Sequence, residues 1–374
     1  MTAKTTPTSA RDGAPEDSAT PDDTKVLSPK VGLAMFLFIV VAFFGTIEGV
    51  KALFDIAPPD PLNGFTVSNP TVDLAEIERA IPLGNIRPLR DLEPIPASEA
   101  HELRHRFVVS SDRVAVVTLG GETRGYLLRV LVFHEVANDV LGGMPIAVVH
   151  HPVSDLVIVF ERTVDGEVLE FGTSGLLLDS HLIAYDLPPE NDIRRIAESS
   201  LWSPLIGNAI AGPRSGLTLK RLECEVTSWG DFRTRFPDAT IPLPPARYLK
   251  EYRKDPYTQY IGAGRPRYAA DPLPPKEGRS FLTPMLVVAT QGENSLEGVT
   301  IEAYAIEDLI AAAEGPTVER VQGGVPIQFR IVDRDKGIAT VTAKSQRELI
   351  WVAQTYWFTW FASEERIRAG ASHQ

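Results

Sequence analysis

Cysteine is all but missing from this sequence: Cys224 is the single one in 374 residues, so no disulfide can form within the chain. A chain of this length can bury enough apolar surface to hold together without one. An excess of positive charge is missing too. With 37 Lys and Arg against 49 Asp and Glu the net charge is −12, which repels phosphate backbones and removes nucleic acid as a partner. Glycine-rich phosphate loops, EF-hand spacings and an HExxH pair are all lacking, which excludes the sites that depend on those spacings. Long apolar stretches are scarce, and residues 31–47 form a run of 17 without a charge.

What is present points to strands and turns. Thirty prolines and 28 glycines, with few long helical patterns, favour a mainly β (α+β) fold. Residues 1–29, rich in Thr, Ser, Pro, Ala and Asp, read as a disordered tail. The apolar run then reads as a single transmembrane helix over residues 30–56, ended by Pro58 and Pro59. It begins too late, runs too long and lacks the small-residue cleavage pattern of a signal peptide. Lys25 and Lys30 precede it and only Lys51 follows, which places the N-terminus in the cytoplasm and the rest beyond the inner membrane, periplasmic or extracellular. Ala42, Gly45, Gly49 and Ala52 fall on one face of this helix. Small residues let helices approach closely in lipid, so this face is a candidate docking surface for an integral-membrane partner.

The remainder divides into a Pro-rich connector (57–105), a first β-rich half (106–236), a long Pro/Tyr-rich loop with nine prolines (237–280), a second β-rich half (281–366) and a tail (367–374). The stretch after Arg124 reads as a strand, a short helix at 134–138, a Gly-Gly-x-Pro turn and further strands, with a hairpin turn at Asp165-Gly166. The two halves repeat a pattern. Arg124-Gly-Tyr126-Leu-Leu-Arg-Val-Leu131 matches Glu302-Ala-Tyr304-Ala-Ile-Glu-Asp-Leu309, and Gly142-Gly-Met-Pro145-Ile146 matches Gly323-Gly-Val-Pro326-Ile327. Two copies of one β-motif predict an internal duplication.

Candidate chemistry gathers in the first half, where five of the seven histidines lie between His105 and His181. A strand–helix–turn–strand unit that folds back brings His134 and His151 to one edge. Glu135, Asp139, Asp155 and His181 are then neighbours, and imidazoles with carboxylates suit Zn, Cu or Fe. His150 and His151 are adjacent on a strand, so only one of them can point into such a site. The competing reading is that His-Glu and Asn-Asp satisfy turns and buried backbone groups. Both readings stand at this level. Ser174 in GTSG has the wrong spacing for a nucleophile elbow. Trp351, Trp357 and Trp360 suit a membrane interface, a subunit contact or an ordinary core.

From Arg124 to Ser280 the sequence resembles the bacterial family called domain of unknown function 3179. The motifs are Phe133-His134-Glu135 with Asn138-Asp139, GGMP at 142–145, FGTSG at 171–175, SLWS at 200–203, Gly212-Pro213 and Thr227-Ser-Trp229-Gly230, with an aromatic run at 356–360. The resemblance implies an exported β-rich domain and no established activity. Where the family carries Tyr-Cys-Pro-Leu-Cys-Gly, this sequence has His150-His151-Pro152-Val153-Ser154-Asp155, so His151 and Ser154 stand in the cysteine positions and thiol chemistry is lost. Two functions follow as expectations: a membrane-anchored accessory or binding subunit of a larger membrane complex, or a metal-binding protein or enzyme using the His134/His151 region.

Overall fold

The computed structural model describes residues 60–371 apart from 101–107, 189, 191, 277, 293–297 and 344–347, and before residue 60 only Lys30 and Leu33. The expected tail, all of the expected anchor except Lys30 and Leu33, and its face of Ala42, Gly45, Gly49 and Ala52 lie outside the described residues. Among the described residues no helix is long and apolar enough to cross a membrane.

The fold is mainly β. Its first unit opens with a hairpin, β1 (Arg113–Leu119) and β2 (Glu122–Leu127), followed by one helical turn, α1 (Leu128–Leu131). A meander of three strands comes next: β3 (Val136–Leu141), β4 (Met144–His151) and β5 (Leu156–Glu161). The helix therefore sits at Leu128–Leu131, not at residues 134–138, where the chain turns and enters β3. The apolar LLRVL stretch, which reads as strand, closes a helical turn because Glu135 adopts a left-handed backbone (φ 56°) and stops it.

Five strands come next, of which the first four form an inserted sheet: β6 (Phe171–Leu178), β7 (His181–Asp186), β8 (Leu201–Ser203), β9 (Asn208–Ala211) and β10 (Arg221–Leu222). The first four make a sheet with Ile77–Arg79 on its edge, while β10 pairs with β5. The unit closes with β11 (Glu225–Ser228), which returns to pair with β1, and with α2 (Trp229–Arg235), whose N-terminus Ser228 caps by accepting from the Asp231 N–H.

A second series in the same order follows α3 (Thr258–Ala263). It comprises β12 (Pro284–Thr290), β13 (Thr300–Ala305), α4 (Ile306–Ala312), β14 (Thr317–Gln322), β15 (Val325–Asp333), β16 (Ile338–Ala343), β17 (Leu349–Tyr356) and α5 (Trp357–Ala371). β17 returns to pair with β12 as β11 does with β1. The closing helices are hooked alike: Trp229 N–H donates to Asp112 O at 2.7 Å, and Trp357 N–H donates to Thr283 O at 2.9 Å. The units also exchange edges. β17 sits beside β5, with Gln354 opposite Val157, and β11 runs alongside β16.

The central sheet has the order β13-β12-β17-β5-β4-β3 and is covered on both faces. Ala147, Val149, Ile158 and Phe160 pack toward the inserted sheet, while Ile146, Val148, Val157 and Val159 pack toward β1, β2 and α2. A strand buried on both faces reads as an unbroken apolar run, which is why LVIVF shows no alternation. Trp351 and Trp360 belong to this core.

The Gly-Gly turns match in backbone too: Gly142 and Gly143 have φ 54° and 78°, Gly323 and Gly324 φ 54° and 80°. Two positive φ values give the hairpin turn that follows strand twist. Their surroundings differ. A Cβ on Gly142 would stand 2.3 Å from Leu119 O, whereas on Gly323 it would stand 2.4 Å from the Thr300 hydroxyl. Backbone cannot yield as a side-chain end can. Gly142→Ala should therefore cost about 2 kcal/mol and Gly323→Ala about 1 kcal/mol, read from urea midpoints. Equal losses would show that backbone strain alone sets both.

Candidate functional site

The turn between β4 and β5, where the family resemblance places its two cysteines, opens onto a cleft of about 360 Å³. The start of β1 and α1 form one wall, with Asp112, Arg113, Arg129 and Val132; the turn supplies His150, Pro152 and Asp155. Lys254, Asp255 and Tyr257 come from the long loop, and Lys336, Ile338 and Tyr356 from the second unit. The cleft is thus a junction of both units and the loop between them.

Its floor is fixed by ion pairs. Asp155 ends the turn with a left-handed backbone (φ 49°), which Asp tolerates better than most residues. Its carboxylate takes both arms of Arg113, at 2.8 and 2.5 Å, and the Gln354 amide at 2.6 Å. Burial alone would raise the Asp155 pKa, but the Arg113 charge and hydrogen bonds outweigh it and hold the carboxyl below its usual range. Arg129 grips Asp112 in the same way, at 2.5 and 3.1 Å. His150 stands over this floor, pushed down to about 4 chiefly by burial, with the Asp155 charge opposing, so it is neutral at pH 7. Four cationic side chains (Arg113, Arg129, Lys254, Lys336) meet three anionic ones (Asp112, Asp155, Asp255), a local surplus of one positive charge on an acidic protein.

The residues proposed as metal ligands are dispersed. His134 is clamped under the long loop, one ring nitrogen 2.8 Å from Arg87 O and the other 2.7 Å from the Tyr252 hydroxyl. Neither ring nitrogen of His134 is left for a metal, although the β3–β4 register (Val136 opposite Val149, Glu135 O accepting from His150 N–H) brings the backbones of His134 and His151 to the same end of the two strands. Asp139 lies on β3, bound to Arg124 at 2.8 Å and to the Tyr126 hydroxyl at 2.7 Å. His151 bonds Ser154 at 2.8 Å, and His181 bonds Ser203 at 2.8 Å. Both rings are pushed down to about 3, first by burial, then by His150 and His181 in one case and by Arg366 in the other. Asp155 alone of the six lines the cleft. Among the described residues, no three His, Cys, Asp or Glu side chains stand close enough to hold a metal ion. The donor set does not fit Zn, Cu or Fe.

Glu135 is the unusual member. It is buried, its carbonyl accepts from His150 N–H at 2.8 Å, and its carboxyl lies against the Thr173 side chain. Burial without a cationic partner pushes it up to about 8, so it carries a proton at pH 7. Sequence reasoning singled out none of Arg113, Arg129 and Gln354, and read Tyr356 only as part of an aromatic run. The signal for Arg113 was its place directly after the Ser-Ser-Asp turn, but its partner is 42 residues away.

A family model described as "Protein of unknown function (DUF3179)" matches residues 95–366, which includes every cleft residue named above. No curated protein and no solved structure matches the chain.

Proposed function

The chain belongs to that family of unknown function, DUF3179, and from this premise we propose that it is a non-catalytic binding subunit. In this reading it is tethered to the outer face of the inner membrane and serves a larger membrane complex. The observation that carries the binding role is the cleft at the junction of the two units, whose polar side chains are already locked by bidentate ion pairs. A site ordered before its ligand arrives loses little entropy on binding. Against an enzyme stand the two imidazole–hydroxyl pairs. His151–Ser154 and His181–Ser203 have nucleophile–base geometry, but none of the four is more than 3% exposed, so no substrate reaches them.

The matching order of elements in the two units supports an internal duplication, with the inserted sheet distinguishing the first copy. The positions of His150, His151 and Ser154 are occupied by Ile331, Val332 and Asp335 in the second, as fits a site grafted onto one copy only. The tether rests on residues 31–47 and the docking face on Ala42, Gly45, Gly49 and Ala52.

The test is co-purification from mild detergent at equal membrane abundance. Gly45→Leu with Gly49→Leu should leave insertion intact and weaken partner retention about tenfold, since bulk at a small-residue face separates packed helices. Lys254→Glu with Lys336→Glu should alter what the cleft retains while leaving the fold stable. Wild-type chain that purifies alone, or partners held equally by all versions, would refute the accessory role.

A further inference from the structure

Arg221, on β10, is the most anomalous charge in the molecule. It is 2% exposed, yet forms no ion pair among the described residues. Its Nη1 donates to Leu205 O at 2.8 Å, and its guanidinium carbon stands 4.0 Å from the centre of the Trp351 ring. Among the described residues the other two nitrogens, Nε and Nη2, are buried without a partner, as is the indole Nε1 of Trp351. Cation–π contact compensates one face of the guanidinium only. Burial is the sole influence on its pKa, which it lowers to about 9, so at neutral pH the cation persists with no carboxylate in range.

In a guanidinium, Nε–H and one Nη2–H point the same way and form a fork that a single acceptor can satisfy. A water would meet the hydrogen bonds but leave the charge uncompensated, and an uncompensated buried charge is strongly destabilising. We infer that a halide-sized monoanion binds in the Arg221 fork beside the Trp351 indole N–H. Leu205 and Trp351 are both fully buried in the core between the central and inserted sheets, a setting that favours a small, singly charged ion over a larger oxyanion.

The position gives the ion a structural task. Arg221 pairs through its backbone with Phe160 of β5, reaches Leu205 in the inserted layer and stacks on Trp351 of β17. First unit, insertion and second unit therefore meet at this one guanidinium. Three residues along β17 from Trp351 is Gln354, which holds Asp155 in the cleft. The anion is a brace on the layer that supports the binding site.

Thermal unfolding of the full chain in detergent tests this, in sodium chloride or bromide against sodium gluconate at one ionic strength. The expected result is a Tm that rises with halide by about 2–4 °C for each tenfold increase above the dissociation constant. Arg221→Met should abolish the rise. If that variant does not fold, Trp351→Phe keeps the cation and the ring face but removes one donor, and should weaken it. Crystals grown in bromide should give an anomalous peak at the fork. The same Tm in gluconate and halide, the same halide dependence in wild type and variant, or a water in place of bromide would each overturn the inference.

Discussion

Replacing Arg113 with methionine should destabilise the protein by about 3 kcal/mol, the lower end for breaking a buried ion pair. Asp155 has only 3% of its side chain exposed, whereas Arg113 retains 32%, so water screens the pair in part and the full loss is not expected. Once the guanidinium is gone, the carboxylate keeps the Gln354 amide but no charge partner. It then either stays ionised at a cost or takes up a proton. Asp155→Asn in the Arg113→Met background should restore most of the loss, because the neutral amide does not need the cation. A double variant as unstable as Arg113→Met would show that packing of the arginine stem, not charge, holds the cleft floor.

The pH profile carries the second large effect. Glu135 has a folded pKa raised from 4.5 to about 8 by burial. Between those values the unfolded chain releases this proton and the folded chain keeps it, so stability falls as pH rises from 4.5 to 8. His150, held at about 4, and His151 and His181, held at about 3, act in the opposite sense. Below 6.5 the unfolded chain protonates them and the folded chain does not, so stability falls as pH drops toward 3–4. Three histidines outweigh one glutamate between 4.5 and 6.5, which puts the contribution of these groups at its maximum near pH 6.5. Glu135→Gln should match the wild type at pH 4 and exceed it at pH 9 by about 5 kcal/mol in urea unfolding. Parallel curves for the two proteins would mean that Glu135 ionises in the folded state at little cost.

The fold was legible where local chemistry decides it. Gly142-Gly143, Gly323-Gly324 and Asp165-Gly166 announce tight hairpins, and all six residues have positive φ. The repeat of Tyr, Leu and GGxPI falls on corresponding elements of the two series, Tyr126 on β2 and Tyr304 on β13, Pro145 on β4 and Pro326 on β15. Where local signals conflict, the reading failed. LLRVLVF has the apolar, branched character of a strand, yet four of its residues make α1 because the chain must turn from β2 into β3. The cleft was half visible. His150 and Asp155 stand out in sequence, but their chemistry reads differently once Arg113 from β1 and Gln354 from β17 arrive beside them. Histidine and carboxylate together suggest a metal. Three-dimensional pairing gave Asp139 and Asp155 to arginines and His134, His151 and His181 to hydroxyls, and left Glu135 without a cation. No periodicity encodes that choice, since it depends on strands 42 and 199 residues apart.

The central claim is a ligand-binding cleft facing the extracytoplasmic side, and a single introduced cysteine tests it. The native Cys224 is buried and burial raises its thiol pKa, so it gives little background labelling. Lys336→Cys places a thiol at the exposed rim of the cleft. In spheroplasts carrying the full-length chain, a membrane-impermeant maleimide should label this variant without lysis, and not label the wild type. A bulky maleimide at that position should also displace whatever the cleft retains in co-purification. Labelling that appears only after the membrane is opened would contradict the account.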